Sequence, residues 1–487
     1  IGCSIPGGNV IKAGMTQHKT LKGLVPQSAA FGHGNAGGTM ARGFLRGGIQ
    51  NMTMPLWTHT EGSKLFFRPS KRLSREEYLK VIDYFNPAPD VSNFYATIFD
   101  SETGDLNKEF YDILLHLPAV DIDDILKSPP SDWDNMISQG PMDPWWANGD
   151  YLDEGEKVDG GALHINSWHD YGVNETFLQF EHFQKHATSK WARDNQYVIV
   201  GPLGHCALES LTSQTVNVER ELGDARFDAW GTYLRWWDYT LKEKDNDFEK
   251  TPKIQYFLPG ANEWRASDVW PIAGTTPTKL YLTSGGNANT RNGDGELGWQ
   301  KPSETSFDEY IYDPADPIIV FTKAVHQGSS DVSELQLRDD ILVYTTKPLA
   351  QDVEMTGKAR AKIWLSADVP DTDLAVKISD VYPDGRAYAI QQGFLRLRYR
   401  DGYDKEVMME GGKVYAIDLD MLVGANLFKK GHSIRIEVTS SDFPTFARNL
   451  NTGGDNARDT EYRSATVKIH HGPDTPSYIE LPIIKAN

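Results

Sequence analysis

The chain has 487 residues, about three times the length of a typical domain, so one small module is excluded and two or three domains are expected. Lys plus Arg number 49 against 68 for Asp plus Glu, and the net charge of −19 argues against a generic nucleic-acid or anionic-membrane surface. The 39% hydrophobic and 11% aromatic residues are those of an ordered globular protein, no apolar run reaches the ~18 residues of a membrane span, and two cysteines, Cys3 and Cys206, are too few for a disulfide framework or a four-cysteine zinc cage.

The chain starts at Ile1 with no charged-then-apolar leader, so processing or truncation is expected to have removed the true start, and the compartment stays open. The first thirty residues read as turn, helix, strand: a turn at Gly2-Cys3-Ser4, a helix over about 6–18 and an apolar segment over 21–26. Pro6 suits a first helical turn, where its missing N–H has no intrahelical acceptor to lose. Residues 30–158 are rich in Gly, Trp and Pro with short helical patterns, including capping-box spacing at Ser74-Arg75-Glu76-Glu77, and read as an inserted, mainly helical cap.

Alternation of strand and helix then resumes. Residues 162–166 are strand-like, 173–186 helical, 197–200 a buried strand, and 254–258 a further strand. Between the last two, Phe227, Trp230, Leu234, Trp237 and Leu241 recur at spacings of three and four and fall on one helical stripe. Such alternation implies a mainly parallel α/β sheet, assigned here to residues 1–29 and 159–275. After about 275 the helical period gives way to short alternating runs, among them 279–282, 341–344, 361–365, 374–378, 394–399, 434–438 and 465–469. Turns such as Pro383-Asp384-Gly385 separate them, so residues 276–487 are expected to form an all-β sandwich.

Three residues each end a predicted strand: Ser4, Asp170 and His205, in the chain order nucleophile, acid, histidine used by α/β-hydrolases. In a parallel sheet the carboxyl ends of strands share one edge, so these three could converge there. Ser4 would attack a carbonyl, His205 would act as general base and then acid, and Asp170 would orient the imidazole. The backbone N–H of Ile5 would be one oxyanion donor. Taken singly, Ser4 is equally a helix N-cap, Asp170 a turn residue and His205 a loop histidine.

These segments resemble the cocaine esterase and X-Pro dipeptidyl-peptidase-like serine hydrolases, the CocE/NonD group. The resemblance is carried by Ile1-Gly2-Cys3-Ser4, Leu24-Val25-Pro26-Gln27-Ser28, His164-Ile165-Asn166-Ser167-Trp168-His169-Asp170 and Val200-Gly201-Pro202-Leu203-Gly204-His205. In the β region Tyr312-Asp313-Pro314-Ala315-Asp316-Pro317, Asp371-Thr372-Asp373, Asp380-Val381-Tyr382-Pro383-Asp384-Gly385 and Ser440-Ser441-Asp442-Phe443-Pro444 add to it. It implies an α/β-hydrolase core, a helical cap and a C-terminal jelly roll, with the triad mapped onto Ser4, Asp170 and His205. It also implies that this chain lacks the N-terminal strands and the tyrosine hydroxyl that completes the oxyanion hole, making it an N-terminally truncated fragment that could be inactive. Pro6 stands where the family elbow commonly has a small residue.

The expected function is hydrolysis of an ester or amide acyl bond, esterase favoured, with an X-Pro dipeptidyl peptidase as the same-fold alternative and a non-catalytic binding protein using its β-sandwich as the different-class one. Trp168 and Tyr171, flanking the acid, are candidate substrate contacts, whereas Trp133, Trp145 and Trp146 of the cap suit either a pocket wall or ordinary packing. Cys3 and Cys206 adjoin Ser4 and His205 and are read as two buried free thiols. His470-His471 and the pair Asp313 and Asp316 lack metal-ligand spacing and read as turn residues, so no metal or redox cofactor is expected. The expected partners are a small ester, amide or short-peptide substrate, with no nucleic acid and no membrane span, and a homo-oligomer is left open.

Overall fold

The computed structural model describes residues 1–29, 41–42, 45–55, 58, 73–77, 79–80, 107–126, 128, 131–148, 152–170, 172–319 and 328–484. Strands Gly2–Cys3, Pro26–Gln27, Gly161–Ser167, Gln196–Gly201 and Ile254–Leu258 lie side by side in that order, all parallel. Gly23–Leu24 also pairs with Gly161–Ser167, and Glu263–Ser267 closes the far edge antiparallel. Every residue of Gly161–Ser167 and Gln196–Gly201 is buried, as a strand covered on both faces requires. The carboxyl ends of these parallel strands therefore open onto one edge, where Ser4, Asp170 and His205 follow them.

Helix Val173–His186 begins and ends as the sequence predicts and buries Val173, Phe177, Phe180 and Phe183 against the sheet. Helix Ala229–Lys242 starts at Asp228, whose carboxylate accepts the Gly231 N–H at 2.9 Å. Three of the five stripe residues, however, face outward, Trp230 being 69% exposed, Leu234 68% and Leu241 59%, while Trp237 and Phe227, just before the helix, are half-buried against the core. The inward face is Ala229, Thr232, Tyr233, Trp236 and Thr240, with Tyr233 and Trp236 packed beside Leu163, Tyr197 and Phe248. Both faces of this helix carry large apolar side chains, so periodicity alone fixes the helix without choosing the face that turns inward.

Among the described residues of the insertion, Ala41–Arg42, Leu45–Arg46 and Ile49–Gln50 form an antiparallel meander, followed by short helices Lys108–Leu114, Ile122–Ile125 and Trp133–Ser138. The reciprocal bonds between Ser74 and Glu77 make the predicted capping box. Trp133 is fully buried, donating its indole N–H to Ala119 O at 3.1 Å, and clusters with Leu114 and with Phe443 and Ala457 of the β region. The layer thus rests on the C-terminal domain as well as on the core.

Among the described residues from Thr275 onward, eleven strands join in one large, mostly antiparallel sheet around a continuous apolar core. The Pro383-Asp384-Gly385 turn links Asp373–Val381 to Ala387–Arg396, with Gly385 at φ 93°. The expected run over 394–399 ends early: Leu397–Tyr399 is a 3₁₀ turn, held by the Asp371 carboxylate, which accepts the Arg398 N–H and Nε–H at 2.8 and 2.7 Å. No helix among the described residues is long and apolar enough to cross a membrane.

Candidate active site

Ser4 sits between strand Gly2–Cys3 and helix Ile5–Met15 with φ 62° and ψ −129°, a conformation L-residues rarely adopt. It makes no side-chain cap bond, which sets it apart from an ordinary N-cap. The sharp turn is possible because side chains are missing where backbones meet. A Cβ on Gly2 would lie 2.6 Å from the Pro6 carbonyl carbon, and one on Gly7 2.5 Å from Gln27 O. Gly7, one position later than in the common elbow pattern, therefore allows the close approach to the neighbouring strand while Pro6 occupies the second helical position. The Ile5 N–H opens the helix, where no intrahelical acceptor exists, and Pro6 has no N–H to compete with it.

Asp170 follows strand Gly161–Ser167 and is wholly buried. Its Oδ2 lies 2.7 Å from His205 Nδ1, and its Oδ1 accepts the Gly172 N–H at 2.6 Å. Burial alone would raise its pKa, but the His205 bond and charge, the Gly172 N–H and a bond from Ser28 win and hold it below the ordinary carboxylate value. His205 lies on the loop after strand Gln196–Gly201 with its side chain 32% exposed. Burial pushes its pKa down, yet the bond to Asp170 and the carboxylate charge outweigh this and leave it raised. An ionised Asp170 can only accept, so Nδ1 carries the proton and Nε2 is left as the basic nitrogen.

The two cysteines are not free thiols. Cys3 and Cys206 form a disulfide with their Cα atoms 5.9 Å apart, directly beside Ser4 and His205. The parallel sheet places both at one edge, so two side chains 203 positions apart in sequence meet there. Ser28, at φ 46° and buried, adds a hub: it ends one of the segments that carry the resemblance, but the sequence assigned it no role. Its Oγ accepts the Cys206 N–H at 3.1 Å, and its single proton is shared between Asn166 Oδ1, 3.2 Å away, and the Asp170 carboxylate.

Trp168 is buried, stacks on Phe177 and donates its indole N–H to Phe257 O at 2.6 Å, so its ring is engaged in the interior. Tyr171 lies outside the described residues. His169, next to the acid, is half-buried, and desolvation and the Arg220 charge push its pKa down to about 3, which keeps it neutral. His470 bonds Ser366 Oγ at 2.9 Å, His471 bonds Asp308 at 2.8 Å, and Asp313 caps the turn at Ala315 N. Among the described residues Asp245, Asp247 and Glu249 bring carboxylates within 4.8 Å of one another, all exposed, and Asp247 is paired with Lys250.

Two family models match this chain: X-Pro dipeptidyl-peptidase (S15 family) over residues 1–207, and the X-Pro dipeptidyl-peptidase C-terminal non-catalytic domain over 246–480. The cocaine esterase of Rhodococcus sp. (strain MB1 Bresler) is 36% identical over 335 residues, covering 66% of this chain and 56% of that protein. The chain belongs to the CocE/NonD family. A solved CocE/NonD family hydrolase from Staphylococcus aureus superposes with a TM-score of 0.53 at 17% identity, covering 84% of this chain and 71% of that one. An α-amino acid ester hydrolase superposes with a TM-score of 0.72 at 21% identity over 99% of this chain and 76% of that one, which shows the shared fold: an α/β-hydrolase core with a C-terminal β-sandwich. The chain spans about half the length of the curated CocE/NonD relatives it matches.

Proposed function

We propose that the chain carries the catalytic triad of a serine hydrolase that cleaves an ester or amide acyl bond through an acyl-enzyme. The observation that carries this reading is the Ser4 backbone, held at φ 62° at the end of a parallel strand on the same sheet edge as His205 and its buried partner Asp170. Ser4 Oγ attacks the carbonyl carbon as its proton passes to His205 Nε2. Asp170 fixes the tautomer and stabilises the imidazolium, which then protonates the leaving group; water repeats the sequence to release the acid. The Ile5 N–H, at the positive end of its helix, is the oxyanion donor this chain offers at the elbow.

An ester is the favoured substrate class, on the 36% identity to a cocaine esterase. The second reading, release of X-Pro dipeptides, is favoured by the S15 description that matches residues 1–207. Fluorophosphonate labelling with mapping of the modified peptide tests the nucleophile: label on Ser4 that vanishes in Ser4→Ala is expected, and label elsewhere or none removes the triad reading. Comparing p-nitrophenyl ester with Ala-Pro-anilide turnover then separates the two substrates, and faster anilide turnover overturns the ester assignment.

A further inference from the structure

Ser4 and His205 issue from strands that are not neighbours. Two strands, Pro26–Gln27 and Gly161–Ser167, lie between Gly2–Cys3 and Gln196–Gly201. At the usual inter-strand spacing the two strand axes are about 14 Å apart. The loops that follow must lean toward each other for a serine and a histidine to share a proton. Between the residue just before Ser4 and the residue just after His205, that gap has closed to a Cα–Cα distance of 5.9 Å, and the link is covalent.

We propose that the Cys3–Cys206 disulfide is a positioning clamp for the Ser4–His205 pair, so that reduction switches the hydrolase down and reoxidation restores it. This rests on the reading of Ser4, Asp170 and His205 as catalytic. Other ties of the histidine loop include His205 to Asp170, the Cys206 N–H to Ser28 Oγ, Leu203 O to the His169 N–H at 3.2 Å, and Glu209 to Gln27, whose carbonyl accepts the Ser4 N–H at 3.0 Å. These are hydrogen bonds, whereas the disulfide is the covalent link that joins the residue before Ser4 directly to the residue after His205. Ser4 and Cys206 both have positive φ, 62° and 56°, conformations that persist where the surroundings impose them. Both cysteines are half-buried, within reach of a soluble dithiol.

The switching step is thiol–disulfide exchange with a dithiol. A thiolate attacks one cysteine sulfur, the Cys3–Cys206 bond breaks as a mixed disulfide forms, and the second thiol of the reductant displaces the first cysteine. Two electrons and two protons reach the protein as two thiols, and the dithiol leaves as a disulfide. The Asp170–His205 bond stays, while Ser4 and Nε2 lose their fixed separation. A misplacement of ~1 Å costs on the order of 10²-fold in rate, so kcat should fall 10- to 100-fold with KM little changed.

The test measures fluorophosphonate labelling and ester kcat and KM on the 487-residue chain, untreated, reduced with dithiothreitol and then reoxidised with diamide, with free thiols counted by intact mass and near-UV circular dichroism confirming the fold. The expected result is Ser4 labelling at least 10-fold slower after reduction, a flattened rise of rate with pH, and recovery on reoxidation. A Cys3→Ala/Cys206→Ala variant should be slow and indifferent to reductant. Equal rates with two free thiols overturn the clamp and leave the triad standing. No label on Ser4 in any state overturns the triad and the clamp with it. Free thiols in the untreated chain, or a rate loss that follows loss of the near-UV signal, overturn the clamp alone.

Discussion

His205 Nδ1 lies 2.7 Å from Asp170 Oδ2, joining a half-exposed ring to a carboxylate with no solvent contact. The pairing raises the histidine pKa and lowers that of the acid. Because the base must be neutral, kcat/KM for an ester should rise with pH through an apparent pKa above the ordinary 6.5 of histidine. Asp170→Asn should move that limb to lower pH and cut kcat by roughly 10⁴-fold, measured as a pH–rate profile.

The same pair has a stability signature of opposite sign in its two members. The raised His205 contributes stability that is present below its unfolded pKa and lost as pH rises through its folded one. The lowered Asp170 contributes above its unfolded pKa and loses it as pH falls. Urea midpoints of Asp170→Asn relative to the parent should therefore show their largest deficit between the two groups' pKa values and a smaller one at acid pH.

Gly7→Ala should destabilise by ~1–3 kcal/mol, because its Cβ would lie 2.5 Å from a strand carbonyl oxygen that cannot move without breaking register. The urea midpoint should fall, and Ser4 labelling should slow with it. Ser4→Ala should leave the midpoint within about 0.5 kcal/mol of the parent, since the hydroxyl makes no capping bond.

Arg46 of the inserted meander meets Glu175 of the core helix at 2.8 Å, with Glu175 fully buried. Arg46→Met should cost ~3–5 kcal/mol by stranding that carboxylate, whereas Arg46→Met with Glu175→Leu should recover most of the loss. A double-mutant cycle by chemical denaturation measures this.

Trp236→Ala should cost ~3–5 kcal/mol, and Trp230→Ala, two turns away on the outer face of the same helix, within ±0.5 kcal/mol. Thermal unfolding of the pair reads out directly which face is structural.

Most of the strand and helix order was legible because burial on both faces leaves an apolar run, as at 196–201, and burial on one face leaves a period, as at 173–186. The outward turn of Trp230, Leu234 and Leu241 was not, since two apolar faces on one helix have the same period. Ser4, Asp170 and His205 were legible as strand-end residues of the right types. The contribution of Ser28 was hidden, because it depends on a left-handed backbone at φ 46° that a non-glycine residue does not announce. The neighbourhood of Cys3 and Cys206 was legible through Ser4 and His205, but their bond was not, since adjacency along the chain does not say which way two thiols point.

The bond between Cys3 and Cys206 also changes how the chain comes apart. It closes residues 3–206 into a covalent ring that contains the whole inserted layer. A protease that cuts once inside that layer opens the backbone yet frees neither piece, so a non-reducing gel shows one full-length band and a reducing gel two. A cut in the exposed loop after Lys242, outside the ring, gives two bands on a denaturing gel under either condition, the C-terminal piece carrying the last two core strands with the β-domain. Limited digestion run both ways thus tells cuts inside the ring from cuts outside it in a single pair of lanes.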